Sequence, residues 1–191
     1  ERRKALTPDM KFSTYDPGEF YDELFEGIGR PRRGSALLLR KFASLPDGEL
    51  RKRQQAAERV ILNMGMTFGV YGGDEGHEQI FPFDIVPRIV EAPDWTLIDT
   101  GLRQRLRALN LFIDDVYHEQ KILKDNVIPS ELIYSSKGFL KACWGLNPPR
   151  GIWCHIAGID LVRISDGRYY VLEDNMRCPS GVAYVLEARQ V

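Results

Sequence analysis

Asp160, Glu173 and Asn175 are the residues whose types and spacing most clearly invite chemistry. Two carboxylates and an amide oxygen make a hard, all-oxygen donor set. Mg²⁺ or Mn²⁺ takes such a set, with phosphate oxygens and water completing the shell. The three stand in the stretch GIDLVRISDGRYYVLEDNMRCPSG, residues 158–181. It reads as two strands, Ile159 to Ile164 and Arg168 to Leu172, rich in β-branched and aromatic residues. Asp166-Gly167 between them is a signal for a two-residue type I′ turn, which needs positive φ at both centres. A turn centred on that dipeptide sets Asp160 opposite Glu173, with Cβ atoms about 4.5–5.5 Å apart. Asn175, two residues on, shares their face.

Like charges opposed across a strand pair are destabilising, and a cation removes that penalty. The plainer alternative pairs Asp160 or Glu173 with Arg163, Arg168 or Arg177; spacing and register together favour the cation. Beyond Asn175, residues 176–181 predict a turn into a helix, VAYVLEARQ, with Ser180 as its cap. Free N–H groups at that helix start, with Arg177 beside them, form an anion site. The alternative is an ordinary capped turn with Arg177 paired to Asp174 or Glu187. Cys154 would share the metal face of an uninterrupted strand, and His155 the other face. Both read as packing residues.

Elsewhere the signals are weaker. Asp84 and Arg88 are charges within an apolar stretch, read either as functional or as an ion pair locking a loop. Arg103 and Arg107 recur at four on a predicted helix, where either solvation or a ligand anion answers their charge. Asp114, Asp115 and His118 have metal-like spacing, but a lone His near a helix end reads better as a surface residue. The run RKRQQAAER lacks an aromatic platform and reads as a solvated helix face rather than a nucleic-acid patch.

The chain has 191 residues, 43% hydrophobic and 28% charged, with a formal charge of −1. That balance suits a soluble globular protein and gives no electrostatic case for nucleic acid as a partner. No apolar run approaches the roughly 20 residues of a membrane helix. Cys143, Cys154 and Cys178 show no C-x-x-C spacing, which fits a reducing cytoplasm. Residues 1–66 predict a helical N-terminal region after a loose arm over 1–17. Helices are expected at EFYDELFEGIG, at ALLLRKFASL behind a Ser35 cap, and at GELRKRQQAAERVILNMGM behind Asp47. Residues 67–191 predict an α/β region: a strand at TFGVY, a loop at GGDEG, and extended chain through Pro82 and Pro87. A long helix capped by Thr100 follows, then a strand at ELIYSS, a short helix at KGFLKAC, and a central hairpin over residues 153–175. The fold class is α/β of the α+β type, with a mainly antiparallel sheet and flanking helices.

Asp160 followed by Glu173 and Asn175, as E-x-N at the end of a hairpin, resembles the metal-binding hairpin of the ATP-grasp superfamily. The blocks AGIDLVR, DGRYYVLEDN and PSG are similar to the circularly permuted ATP-grasp proteins of type 2, the glutathionylspermidine-synthase-like group. FPFDIVPRI (81–89) and GLRQRLRALN (101–110) extend the likeness, which covers most of the chain from about Thr67 and the first 66 residues more loosely. The resemblance implies part of an ATP-grasp fold, with ATP and Mg²⁺ or Mn²⁺ as cofactors. The implied activity is ATP-dependent ligation of a carboxylate to an amine through an acyl phosphate, with small-molecule or peptide substrates. It places Asp160, Glu173 and Asn175 on the metal, and Arg177, Ser180 and Gly181 with them around the nucleotide. Arg177 takes the catalytic role, on the transferred phosphoryl group or the acyl phosphate.

Two departures stand out. Many relatives of glutathionylspermidine synthase carry an arginine two residues before the first metal aspartate; here that position is Gly158, which leaves Arg163 or Arg177 for a phosphate. ATP-grasp enzymes also need lysines on a separate small lobe, which no segment before the hairpin resembles. In a permuted protein that lobe follows the hairpin. The chain is therefore expected to be the N-terminal part of a ligase, inactive without the remainder of its own chain. The rivals are a non-catalytic α/β docking or regulatory module with a structural acidic hairpin, and a phosphotransferase with another acceptor.

Overall fold

The structure is a computed structural model and describes residues 12–69 and 78–191. The expected arm lies partly, and the expected GGDEG loop wholly, outside those residues. The chain divides into two compact units. One draws on residues up to Ala92 with Leu161–Tyr170 and Ser180–Val191; the other on Pro93–Asp160 and Val171–Pro179.

In the first unit, β1 (Phe25–Gly27) and β2 (Arg30–Pro31) form a short antiparallel ribbon where the sequence predicts a helix. The Asp22 carboxylate explains the difference. Its Oδ1 accepts the N–H groups of Leu24 and Phe25, both at 2.7 Å, a local bond that competes with helix formation. Ser35 precedes α1 (Ala36–Ala43) but does not cap it. Its fully buried hydroxyl donates instead to the carbonyls of Leu24 at 2.6 Å and Arg32 at 2.8 Å. α2 (Glu49–Asn63) starts after Gly48, whose φ of 79° lies in the left-handed region. It buries Ala57 and Ile61, four residues apart; with Phe25, Leu39 and Met66 these are the buried apolar side chains among the described residues of this unit. β3 (Thr67–Gly69) pairs antiparallel with β4 (Glu78–Ile80), Thr67 opposite Ile80. The prolines then keep the chain extended, and the Gln54 side chain clamps it by donating to the Phe83 carbonyl at 2.6 Å and accepting from Ile85 N–H at 3.2 Å. Phe81 stacks on Tyr184 of α6 (Gly181–Ala188), with ring centres 4.7 Å apart.

The second unit is built on the 26-residue helix α3 (Ala92–Tyr117). It begins eight residues before the expected Thr100 cap, with Pro93 and Asp94 in its first turn, where a missing N–H and a negative charge are both favourable. Ile98, Val116 and Tyr117 are its buried residues. α4 (Lys121–Lys124) follows, then α5 (Ser130–Tyr134), a helix where the sequence predicts a strand. Tyr117 stacks on Phe139 and Trp153, with ring centres 5.3 and 5.0 Å apart.

β5 (Gly158–Arg163) and β6 (Tyr169–Asn175) form the hairpin. β5 begins at Gly158 rather than Trp153. The backbone N–H groups of Trp153 and Cys154 both donate to Asn110 Oδ1 of α3, at 2.9 and 3.0 Å. The architecture is α+β, and among the described residues the strands form three separate two-stranded ribbons.

Candidate functional site

The hairpin turn differs from the one expected. Gly167 N–H donates to the Ile164 carbonyl at 2.8 Å, and Ile164 N–H to the Arg168 carbonyl at 3.1 Å. This is a three-residue loop closed by a glycine bulge, with Gly167 at φ 84°. Arg168 therefore faces Ile164, and Arg163 stacks on Tyr169 at 4.6 Å, one residue away from the expected register. Carried unbroken along the strands, that register would put Glu173 on the opposite face from Asp160.

Yet the side chains of Asp160, Glu173 and Asn175 meet. Asn175 Nδ2 donates to Glu173 Oε1 at 2.9 Å and to Asp160 Oδ2 at 3.3 Å. Between Tyr169 and Glu173 the strand departs from strict alternation, with neighbours Leu172 and Glu173 both exposed. The three side chains thus come together although the turn is displaced by one residue from the one expected.

The cluster carries the mark of opposed like charges. A hydrogen bond with the Glu173 carboxyl, loss of solvent and the negative charge of Glu173 raise the Asp160 pKa above its ordinary value; the Asn175 amide works the other way. Asn175 turns its nitrogen, not its oxygen, toward the carboxylates. Among the described residues no three His, Cys, Asp or Glu side chains are grouped to hold a metal. A cation here would therefore need the Asn175 oxygen as its third donor. The residues fit Mg²⁺ on donor chemistry: two hard carboxylates, one turnable amide, and a charge conflict that a cation relieves.

Asp174, between Glu173 and Asn175, is held apart from them. Arg105 of α3 grips it with two hydrogen bonds, Nε to Oδ1 at 2.7 Å and Nη2 to Oδ2 at 2.6 Å. That guanidinium lowers the Asp174 pKa. Sequence inspection weighed Arg103 and Arg107 and passed over Arg105. Arg103 is answered by Asp99 one turn away, at 2.8 Å.

Arg177 is exposed and makes no ion pair with a described residue, so the alternative pairing to Asp174 or Glu187 does not form. Arg163 is committed elsewhere. It lies over the Tyr21 ring at 3.8 Å and donates to the Gly167 carbonyl at 3.0 Å. Gly158 is tightly placed: a Cβ there would come within 3.0 Å of Pro179 Cβ and 3.7 Å of Asn175 Cβ. A longer side chain would press on the cluster itself. Ser180 and Gly181 open α6 in the other unit, and Ser180 makes no side-chain cap.

The other candidates, Arg107 apart, make structural bonds. Asp115 accepts the N–H groups of Lys121 and Ile122 at 3.0 and 2.9 Å, capping α4. Asp114 accepts Trp153 Nε1–H at 3.0 Å. The Cys154 thiol lies 2.9 Å from the Met176 carbonyl. Asp84 accepts Val86 N–H at 2.8 Å, while Arg88 pairs with Glu23 at 3.1 Å, so the two do not lock to one another. No helix among the described residues is long and apolar enough to cross a membrane.

Residues 87–191, more than half of the chain, match the family model of circularly permuted ATP-grasp type 2. The chain belongs to that family. An uncharacterized protein of Synechocystis sp. is 48% identical over 95% of this ATP-grasp chain, and one of Mycobacterium tuberculosis 39% identical over 99% of it. A protein of Frankia casuarinae named "Putative glutamate--cysteine ligase 2-2" is 37% identical over 90% of it. The chain spans only 38%, 34% and 20% of these relatives' own lengths.

Proposed function

We propose that this chain supplies the metal-binding hairpin of an ATP-dependent carboxylate–amine ligase. The observation that carries the proposal is the convergence of Asp160, Glu173 and Asn175 at the base of the hairpin, with Asn175 bonded to both carboxylates. In such a ligase the γ-phosphoryl group of ATP passes to a substrate carboxylate, giving an acyl phosphate and ADP. The amine then attacks the acyl carbon and inorganic phosphate leaves.

Asp160 and Glu173 would hold Mg²⁺, joined by the Asn175 amide once its oxygen turns inward. The ion, when bound, neutralises charge on the phosphates during transfer. Arg177, without an ion-pair partner among the described residues, would bind the transferred phosphoryl group or the acyl phosphate as a charge-assisted donor. Ser180 and Gly181 would offer backbone N–H groups to the nucleotide phosphates. Arg105 acts as a positioning residue, because fixing Asp174 fixes the strand from which Glu173 and Asn175 project. The family membership supports the nucleotide and metal. The Frankia relative's name supports a ligase in kind and does not name this chain's substrates.

The test is Glu173→Ala made in two contexts. In the complete protein it should cut ATP-dependent turnover by about two or more orders of magnitude, the scale of losing one strong electrostatic contact to the transition state. In the 191-residue chain without nucleotide it should leave the melting temperature unchanged or raise it, because it relieves the opposed carboxylates. A destabilised chain beside an unimpaired complete protein would sink the metal assignment and favour a structural acidic hairpin.

A further inference from the structure

A second cluster of polar groups lies in a cleft of about 490 Å³ within the second unit. One wall is a face of α3: Arg107, Asn110, Leu111 and Asp114, at helical spacings of three and four. The other wall is the turn at Arg150, Gly151 and Ile152. The walls are tied together. Asn110 Oδ1 accepts the N–H groups of Trp153 and Cys154, and Asp114 Oδ1 accepts Trp153 Nε1–H.

Three features make this more than a groove. Arg107 and Arg150 line the same cleft, both exposed, and neither has a carboxylate partner among the described residues. Arg150 holds φ 60° and ψ 15°, a left-handed conformation that strains a residue with a Cβ and that glycine adopts freely. Asp114 adds one negative charge; its Oδ1 is taken by Trp153, and its Oδ2 accepts no hydrogen bond from a described residue.

We propose that this cleft binds an α-amino dicarboxylic acid, free or as the end of a peptide. Two guanidinium groups and one carboxylate match two carboxylates and one ammonium. The Arg107 and Arg150 forks would take the carboxylates and Asp114 Oδ2 the ammonium, while Leu106, Leu111 and Ile152 line the space for the methylenes between them. A polyanion such as phosphate or a nucleotide would meet Asp114 as a like charge. The inference deepens the ligase reading by naming a substrate class, and rests on that reading only for the ligand's being a substrate.

The binding itself is testable without ATP or metal. L-Glutamate, glutarate and inorganic phosphate are titrated into the purified protein by calorimetry. L-Glutamate should bind saturably in the millimolar range or tighter, and more tightly than glutarate or phosphate. Arg107→Gln and Arg150→Gly should each weaken L-glutamate at least tenfold. Arg150→Gly should leave the melting temperature equal or higher, since it removes the guanidinium and relieves the backbone together. Asp114→Asn, which can still accept from Trp153, should weaken L-glutamate and leave glutarate binding equal or tighter. No saturable L-glutamate binding, equal binding of phosphate, or insensitivity to both arginine changes would overturn the proposal. Each of these results would leave the metal hairpin untouched, whose own test is the Glu173 variant.

Discussion

At the scale of the residue, the hairpin base holds two carboxylates with pKa shifts of opposite sign. Asp160 is raised, chiefly by its hydrogen bond with Glu173; Asp174 is lowered, chiefly by the Arg105 fork. A raised carboxyl contributes stability below its ordinary pKa of about 3.9 and loses it as pH climbs through the raised value. A lowered one contributes stability above its ordinary value and loses it as pH falls. Asp160 therefore works against the fold at neutral pH, and Asp174 for it. An NMR titration should place Asp160 above and Asp174 below the ordinary aspartate value. Mg²⁺ should pull the apparent Asp160 pKa down, because binding expels its proton, and raise the melting temperature at neutral pH. Glu173→Gln should lower the Asp160 value without a cation. A titration in which Asp160 stays ordinary and Mg²⁺ moves nothing would remove the hairpin from consideration as a metal site. Asp160, Glu173 and Asn175 were legible in the sequence because their residue types are unusual together and lie close along the chain. Arg105 was not, because its partner lies 69 residues away and neither residue is unusual for its own element.

At the scale of the element, local chemistry decided the outcome more often than periodicity did. The Asp-Gly dipeptide correctly marked a hairpin but fits two turns: a two-residue loop, or a type I turn with glycine in the bulge position. The second is present. Phe20, Leu24 and Ile28 carry a helical period, but the Asp22 carboxylate takes the first N–H groups of that stretch and a ribbon forms instead. α2 followed its composition, and its buried stripe supplies Ile61, the one large apolar side chain at 0% exposure among the described residues. Ile61→Ala should cost about 2–5 kcal/mol in urea unfolding, the range for truncating a buried aliphatic side chain. Gly167→Ala should cost at least about 1–2 kcal/mol, because φ is 84° and a Cβ there would lie 3.1 Å from Tyr21 Cε2. A melting temperature unchanged by Gly167→Ala would mean the hairpin closes by a different turn.

At the scale of the whole molecule, much apolar surface has no cover among the described residues. Leu172 on β6 is 73% exposed, and Val185 and Leu186 on α6 are 61% and 60% exposed. Relatives at 48% and 39% identity carry this sequence within much longer chains, of which it spans 38% and 34%. Acyl-phosphate chemistry also needs cations on the nucleotide phosphates from a second direction, and the family resemblance assigns those to strand lysines. Among the described residues no strand carries a lysine: the six strands read FEG, RP, TFG, EQI, GIDLVR and YYVLEDN. The basic groups set beside the metal cluster are arginines, and of these Arg105 is spent on Asp174. On the proposed reading the hairpin would hold a divalent ion, while no described strand offers a lysine to draw out the γ-phosphate. The 191-residue chain alone should therefore bind Mg²⁺ weakly and show no metal-dependent ATP turnover above background. The complete protein should turn ATP over, and lose that activity with Glu173→Ala. Phosphate release measured for both under the same conditions separates the cases. Robust turnover by the 191-residue chain, abolished by Glu173→Ala, would mean that the cations for the γ-phosphate already lie within it, with Arg177 and the arginines of the α3 cleft the first to examine.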